Sequence, residues 1–410
     1  MAQSSRGYRS LLRNRRFTRA TISVALGNGG YSAYAIATLW LSFQLSGSIA
    51  VVGLVLFVES GLESITFVAG PAVDRARDLR SVLIAGYGAQ ALLAVVIGVT
   101  LFLGMLTIPV LLVLIAAITL ALDFTWTADN ALIPRLVEEG DLFRANGIAG
   151  ALGGGNAIVG YAAGAGLLLF VGPAGAMFLY AGLLGAAILA ILPVVIPSQR
   201  RVTTRPLADF WEGWQELGHG PGKTLLQLSV FAGFQGFFVT APPLLLTLVS
   251  ELRFSDSSMS YGILFTSFAV AVGSVIGGLL LGRWNPRQRL AFVMCGGTAA
   301  MAVLLVAATY AAPLLFPSVV LWFFVGFASV AFWSAFLAYL QARVPADRFG
   351  RVLTNVYFFR GVPTAVGAAT LGLLAALWGP TTLALLVAFA WVIIATAGPA
   401  LLPALRSLKF

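Results

Sequence analysis

The sequence predicts an all-α polytopic membrane protein: twelve transmembrane helices in two pseudo-symmetric bundles of six. Three observations carry that prediction. Of 410 residues, 59% are hydrophobic and only 10% charged, against roughly 45–50% and about 25% in soluble domains. Such a composition cannot clothe a water-exposed surface. The apolar residues gather into runs long enough for crossing helices, which need about 20 residues each. The basic residues gather in alternate gaps between those runs.

The runs are read at 18–43, 50–73, 81–103, 108–130, 146–171, 174–196, 224–249, 258–282, 290–311, 314–341, 351–377 and 380–404. They are called the first to twelfth spans below. Six of the 25 Lys and Arg residues precede or open the first span: Arg6, Arg9, Arg13, Arg15, Arg16 and Arg19. The gaps after even-numbered spans hold most of the rest, and Arg406 and Lys409 close the sequence. Short loops rich in Lys and Arg stay in the cytoplasm. Both termini are therefore expected inside the plasma (inner) membrane, and the count of spans must be even. The net charge of +10 then reflects topology, with no nucleic-acid partner implied.

Other classes are excluded by what the chain lacks. Its 45 Gly show no three-residue period, and Cys295 stands alone inside the ninth span, where packing is its expected role. The first apolar run is too long for a cleavable signal and has no small-residue cleavage site. Gly218-His-Gly-Pro-Gly222-Lys223-Thr224 looks like a phosphate loop, but Leu217 holds the first glycine position and no strand precedes it. His219, the one histidine, is expected in solvent. No metal site, cofactor or catalytic nucleophile–base pair can be assembled, so the chain is not expected to be an enzyme.

The longest polar stretch divides the chain into 1–197, a cytoplasmic linker at 198–223, and 224–410. Within the linker Phe210, Trp211, Trp214 and Leu217 fall on one helical face behind Arg200, Arg201 and Arg205. That pattern predicts an amphipathic helix lying on the inner membrane surface. The two halves repeat at an offset of about 208: Gly70 and Arg75 match Gly278 and Arg283, Asn146 matches Asn355, and Gly172-Pro173 matches Gly379-Pro380. Internal repeats of this kind mark transporters, with the substrate path between the halves.

With this layout the sequence resembles the major facilitator superfamily over essentially its whole length. Gly70-Pro-Ala-Val-Asp74-Arg75-Ala-Arg77-Asp-Leu-Arg80 is similar to that superfamily's loop signature after the second span. The resemblance implies a gating role for Gly70, Asp74, Arg75 and Arg77. Asp129, near the inner rim, is expected to latch onto an Arg of the 75–80 loop. The branch most similar is the drug and secretion exporters, which includes macrolide efflux and siderophore export proteins. Ala25-Leu-Gly-Asn28, Phe43-Gln-Leu-Ser-Gly-Ser48, Ile133-Pro-Arg-Leu-Val, Leu142-Phe-Arg-Ala-Asn146 and Gly350-Arg351 carry that likeness. Two positions depart from it. Asn28 stands where the branch has a first-span carboxylate, and Gly160-Tyr161-Ala-Ala-Gly164-Ala-Gly166 lacks the proline of the antiporter signature.

Ionisable groups inside a bilayer cost about 2.5–3.5 kcal/mol on insertion scales and are functional candidates by default. The second span carries Glu59 and Glu63 on one face, the fourth carries Asp123 and Asp129, and the eleventh carries Arg360. Glu63 lies roughly 16 Å from the inner rim and Arg360 roughly 15 Å, at 1.5 Å per residue. Both fall near the middle of a core about 30 Å thick. The resemblance makes the second and eleventh spans neighbours, so a Glu63–Arg360 ion pair is expected, with Glu59 one turn outward. Two readings are open: a pair that couples transport to protons or substrate, or a permanent pair that orients the helices. Asp123, also near mid-depth, is a candidate for protonation or substrate contact, or a packing residue. Asn28, Gln90, Gln235 and Asn355 are polar groups at cavity depth, each either ligand or interhelical glue.

The expected partners are a small amphiphilic substrate, protons and membrane lipids, on a chain that by resemblance works as a monomer. The expected function is secondary transport by alternating access, exporting amphiphilic or lipophilic compounds by proton antiport. The alternative is export or facilitation of a specific lipid, siderophore or metabolite without proton coupling.

Overall fold

The computed structural model describes residues 8–64, 69, 73, 76, 78–137, 145, 148, 152, 159–160, 162–164, 166–168, 170–197, 215, 222–253, 259–284, 290–344 and 349–401. The predicted linker helix and His219 fall outside them. So do Gly70, Asp74, Arg75, Arg77 and Asn146 of the predicted motifs.

Every described element is a helix. A short helix, Tyr8–Arg13, precedes Arg15–Ser46, the first span. Ile49–Glu63 opens the second, and Leu79–Phe102 and Ile108–Leu136 are the third and fourth. Pro173–Ile191 is the sixth. The seventh is broken into Gly222–Phe238 and Ala241–Arg253. Pro242 and Pro243 follow the break, and the amide each lacks is one that a continuous helix would need. Met259–Trp284, Leu290–Tyr310 and Leu315–Arg343 are the eighth to tenth, and Phe349–Leu401 holds the last two. Among the described residues seven helices are long and apolar enough to cross a membrane. One of them, Asn355–Gly398, has 44 residues, about twice what a single crossing needs.

That long segment is divided at Gly379, whose φ of 76° and ψ of 176° no side-chain-bearing residue adopts readily. Gly172 has φ 78° and ψ −177° at the start of the sixth span. The same backbone turn is thus built twice, at matching points of the internal repeat. Pro173 and Pro380 then sit at the first helical position, where the missing amide is harmless.

The helices form two compact units. The first comprises Met1–Leu41 and Val68–Arg205, the second Ser42–Phe67 and Pro206–Phe410. The second span therefore groups with residues of the C-terminal half, a feature that chain order does not show. In the first unit, glycines bring backbones together: a Cβ on Gly160 would strike the Gly29 carbonyl, and one on Gly164 would lie 2.6 Å from Ala33 Cα. The first and fifth spans thus pack as closely as small residues permit. In the second unit the seventh and eleventh spans meet likewise, through Gly233 against Phe359 and Gly367 against Phe237. The same pair of spans within the repeat makes the same kind of contact in each unit. Gly273 and Gly326 do the same between the eighth and tenth spans. An apolar core that includes Leu228, Phe231, Met294, Phe332, Phe336 and Val356 is buried in this unit, with Cys295 packed against it.

Candidate transport site

The second and eleventh spans run antiparallel in close register. Gly53 faces Gly372, Gly61 faces Ala365, and Ser64 faces Gly361. A Cβ on Gly53 would sit 2.7 Å from both the Gly372 Cα and the Ala368 carbonyl oxygen. This contact sets the depth at which Glu63, the neighbour of Ser64, meets Arg360, the neighbour of Gly361. The Glu63 carboxylate and the Arg360 guanidinium lie within electrostatic reach of each other. Glu59, one helical turn away, interacts with Glu63 as a like charge. Glu63 lies at the protein surface, while Glu59 and Arg360 are half-buried.

Aromatic rings complete the cluster. The Arg360 guanidinium carbon stands 4.9 Å from the centroid of the Trp333 ring, a cation–π distance. Trp333 leans on Tyr357 with centroids 5.6 Å apart, and the Tyr357 phenol interacts with both Arg360 and Glu63. The seventh span closes one side: a Cβ on Gly236 would meet the Arg360 carbonyl oxygen at 2.8 Å and its Cγ at 3.1 Å. Only glycine lets the arginine stem pass here. The site thus offers two carboxylates, one guanidinium and an aromatic wall. It can hold a proton, a charged group and an apolar ring.

Tyr357 and Trp333 are contributors that patterning alone does not single out. Tyr357 precedes Arg360 by three residues and so shares its helical face. Trp333 comes from another helix and carries no such sequence signal.

The remaining predicted residues lie elsewhere. In the first unit the Tyr87 hydroxyl donates toward both Asp129 oxygens, each at 3.0 Å, and the Ser23 hydroxyl lies against it. The partner described for Asp129 is thus a tyrosine. The expected latch to the 75–80 loop finds no support at Arg80, which pairs with Asp78 at 3.5 Å and donates to the Leu192 carbonyl at 3.0 Å. Arg75 and Arg77 lie outside the described residues. Gln90 is fully engaged: its amide donates to the Gly86 carbonyl and the Thr125 hydroxyl, and its oxygen accepts from Tyr180 at 2.6 Å. It ties the third, fourth and sixth spans together. Asp123 is buried on the fourth span, and its carbonyl accepts from Thr127 at 2.7 Å. Asn28 is exposed. Gln235 and Asn355 are buried in the second unit, and Gln235 Oε1 has no partner among the described residues. No group of three or more His, Cys, Asp or Glu poised to hold a metal occurs among the described residues.

Comparisons with known proteins bear on the whole chain. Solved structures that share its fold include the following three transporters. The nucleoside transporter NupG superposes with a TM-score of 0.73 at 14% identity, over 97% of this chain and 100% of that one. A POT family transporter in complex with 5-aminolevulinic acid gives 0.76 at 9% identity, over 95% and 96%. A bacterial homologue of the human lysosomal transporter Spinster, inward-facing and unoccupied, gives 0.67 at 16% identity, over 98% and 96%. Identities this low establish the fold alone. No curated protein sequence matches the chain. Residues 20–368 match the Major Facilitator Superfamily, and the chain, a multi-pass membrane transporter by that match and its apolar helices, belongs to this family.

Proposed function

We propose that this chain is a secondary transporter that exports amphiphilic or lipophilic compounds by alternating access, driven by proton entry. The observation that carries the reading is the approach of Glu63 to Arg360, which the rise per residue sets near mid-depth, backed by the Trp333 ring. A carboxylate beside a guanidinium in a membrane span has two low-cost states, paired or protonated, and a conformational change that separates the pair favours the second. A charged substrate group competes for the same partners, which couples its movement to the proton. Trp333 and Tyr357 supply an apolar ledge suited to a ring-bearing substrate. The structural neighbours differ by name, a nucleoside transporter, a POT family transporter with 5-aminolevulinic acid and a homologue of a lysosomal transporter, so fold likeness does not choose among substrates. Both termini lie in the cytoplasm in this reading, the membrane is the plasma (inner) membrane, and the chain works as a monomer.

The test is retention of a panel of lipophilic dyes and antibiotics in efflux-deficient cells. Wild type is compared with Glu63→Gln, each with and without a protonophore. Uncoupler-sensitive efflux that disappears in the variant is expected. Asn28, in place of a first-span carboxylate, favours a second reading, export or facilitation without ion coupling. That reading predicts efflux indifferent to the uncoupler.

A further inference from the structure

At the end of the first unit that carries the N-terminal arm lies a cavity of about 470 Å³, lined by Arg13, Arg15, Arg16 and Arg135 together with Asn14. Its volume falls within the usual range for small-molecule pockets, about 300–1,000 Å³. Four arginines line this one open space, Arg13, Arg15 and Arg16 being exposed and Arg135 half-buried, and among the described residues no carboxylate pairs with any of them. A purely topological role for arginines requires only that they lie on the inner side of the membrane. It does not require that they converge.

The convergence is built. Leu11, on the short helix, and Phe17, on the first span, are buried in an apolar cluster with Ala145, against Ile133 and Val137 at the end of the fourth span. Asn14 joins the three segments. Its Oδ1 accepts from the Arg16 amide at 3.1 Å and the Phe17 amide at 3.4 Å. Its Nδ2 donates to the Leu136 carbonyl at 3.5 Å, one of the orphan acceptors at a helix end. Thr18 Oγ1 donates back to the Leu12 carbonyl at 2.8 Å. Leu11 and Phe17 are thus buried while Leu12 is exposed, the asparagine is used in the joint, and Arg13, Arg15 and Arg16 line the cavity. Like charges held together in this way repel one another, and an anion between them relieves the repulsion.

We propose that this cavity is a binding site for a phosphate group, held by the forked donors of Arg13, Arg15, Arg16 and Arg135. Guanidinium is the side chain best matched to bidentate phosphate recognition. The first-span helix begins at Arg15, and its positive end adds to the field. Two sources present this chemistry at an inner membrane surface: the phosphodiester of an anionic lipid headgroup, and free phosphate. The site is independent of the Glu63–Arg360 cluster, so either can fail without the other.

The experiment uses the full chain purified in neutral detergent. Native mass spectrometry and melting temperature are read with phosphatidylglycerol, phosphatidylcholine or inorganic phosphate added. Retention of phosphatidylglycerol over phosphatidylcholine, weakened about fivefold for each cavity arginine removed, is expected for a lipid headgroup. Equal protection by millimolar inorganic phosphate assigns the site to the free ion. Arg13→Gln and Arg135→Gln should each weaken the effect by about that factor, while Arg19→Gln, on the first-span helix but outside the cavity lining, should keep it in full. If Arg13→Gln does not yield folded protein, Arg135→Gln is read in its place. The proposal is overturned if wild type shows neither a headgroup preference nor a phosphate effect, or if Arg19→Gln loses as much as the cavity variants. Glu138, Glu139 and Asp141 follow this helix end in sequence, outside the described residues. A cavity already satisfied by those carboxylates would give the first of the overturning results.

Discussion

Removing one oxygen atom at Tyr87 isolates the interaction that anchors Asp129 in the first unit. Tyr87 is 2% exposed and its hydroxyl reaches both carboxylate oxygens at 3.0 Å. Tyr87→Phe keeps the ring, and so keeps its contact with Gly27, where an added Cβ would lie 3.1–3.3 Å from the ring and hydroxyl atoms. What is lost is a hydrogen bond to a carboxylate. In water-soluble proteins such bonds contribute about 1.5–3 kcal/mol, whereas interhelical bonds in membranes average about 0.6 kcal/mol because the unfolded helices also find partners. Asp129 lies inside an apolar helix with no other described hydrogen-bond donor, which places the expected loss near 1.5 kcal/mol, about a tenfold change in the unfolding constant. Equilibrium unfolding in mixed micelles, with Asp129→Asn and the double variant completing a cycle, measures it. A coupling energy of about 1 kcal/mol or more is expected for residues in direct contact. A Tyr87→Phe loss under about 0.5 kcal/mol, additive with Asp129→Asn, would refute the reasoning.

Three further outcomes follow from particular contacts. Gly379→Ala forces a side chain into a backbone region essentially reserved for glycine, and should cost about 1–3 kcal/mol in unfolding free energy. Gly172→Ala, in the matching turn, should cost a similar amount by the same assay. Gly53→Val overpacks the second span against Gly372 and Ala368, and should lower stability by about 1–3 kcal/mol while Gly88→Val, which faces open space, should not. Trp333→Leu removes the ring over Arg360 but keeps a smaller apolar side chain in its place. It should weaken apparent substrate affinity several-fold, read as a raised half-saturation concentration in transport, since a cation–π contact contributes about 0.5–2 kcal/mol.

Much of this architecture is legible in the amino-acid order because membranes impose few and strong rules. Helix ends are marked by Gly-Pro pairs, and Gly172 and Gly379 adopt the same conformation in both halves of the repeat. Glu63 and Arg360 stand out because ionisable residues are rare in the spans, and depth arithmetic alone sets them level. Other features leave no such trace. Gly53 and Gly372 belong to no motif, so although the resemblance makes the second and eleventh spans neighbours, the closeness of their contact emerges only from packing. Trp333 and Tyr357 are hidden among 29 Phe, 9 Trp and 10 Tyr, since aromatic residues on lipid-facing and inward-facing surfaces look alike in sequence. Asp129 shows the opposite limit. Its charge draws attention to arginines of the nearby loop, yet the donor described for it is Tyr87, whose neutral hydroxyl gives no signal in a charge pattern.

The central claim is that Glu63 and Arg360 act as one unit in transport. A cycle of Glu63→Gln, Arg360→Gln and the double variant tests it most directly, using proteoliposomes with an imposed pH gradient and a substrate identified from the dye panel. Each protein's fold is checked by its melting temperature. The account predicts that either single change abolishes gradient-driven transport and that the double variant is no worse. Transport that survives both single changes, or losses that simply multiply in the double variant, would contradict it.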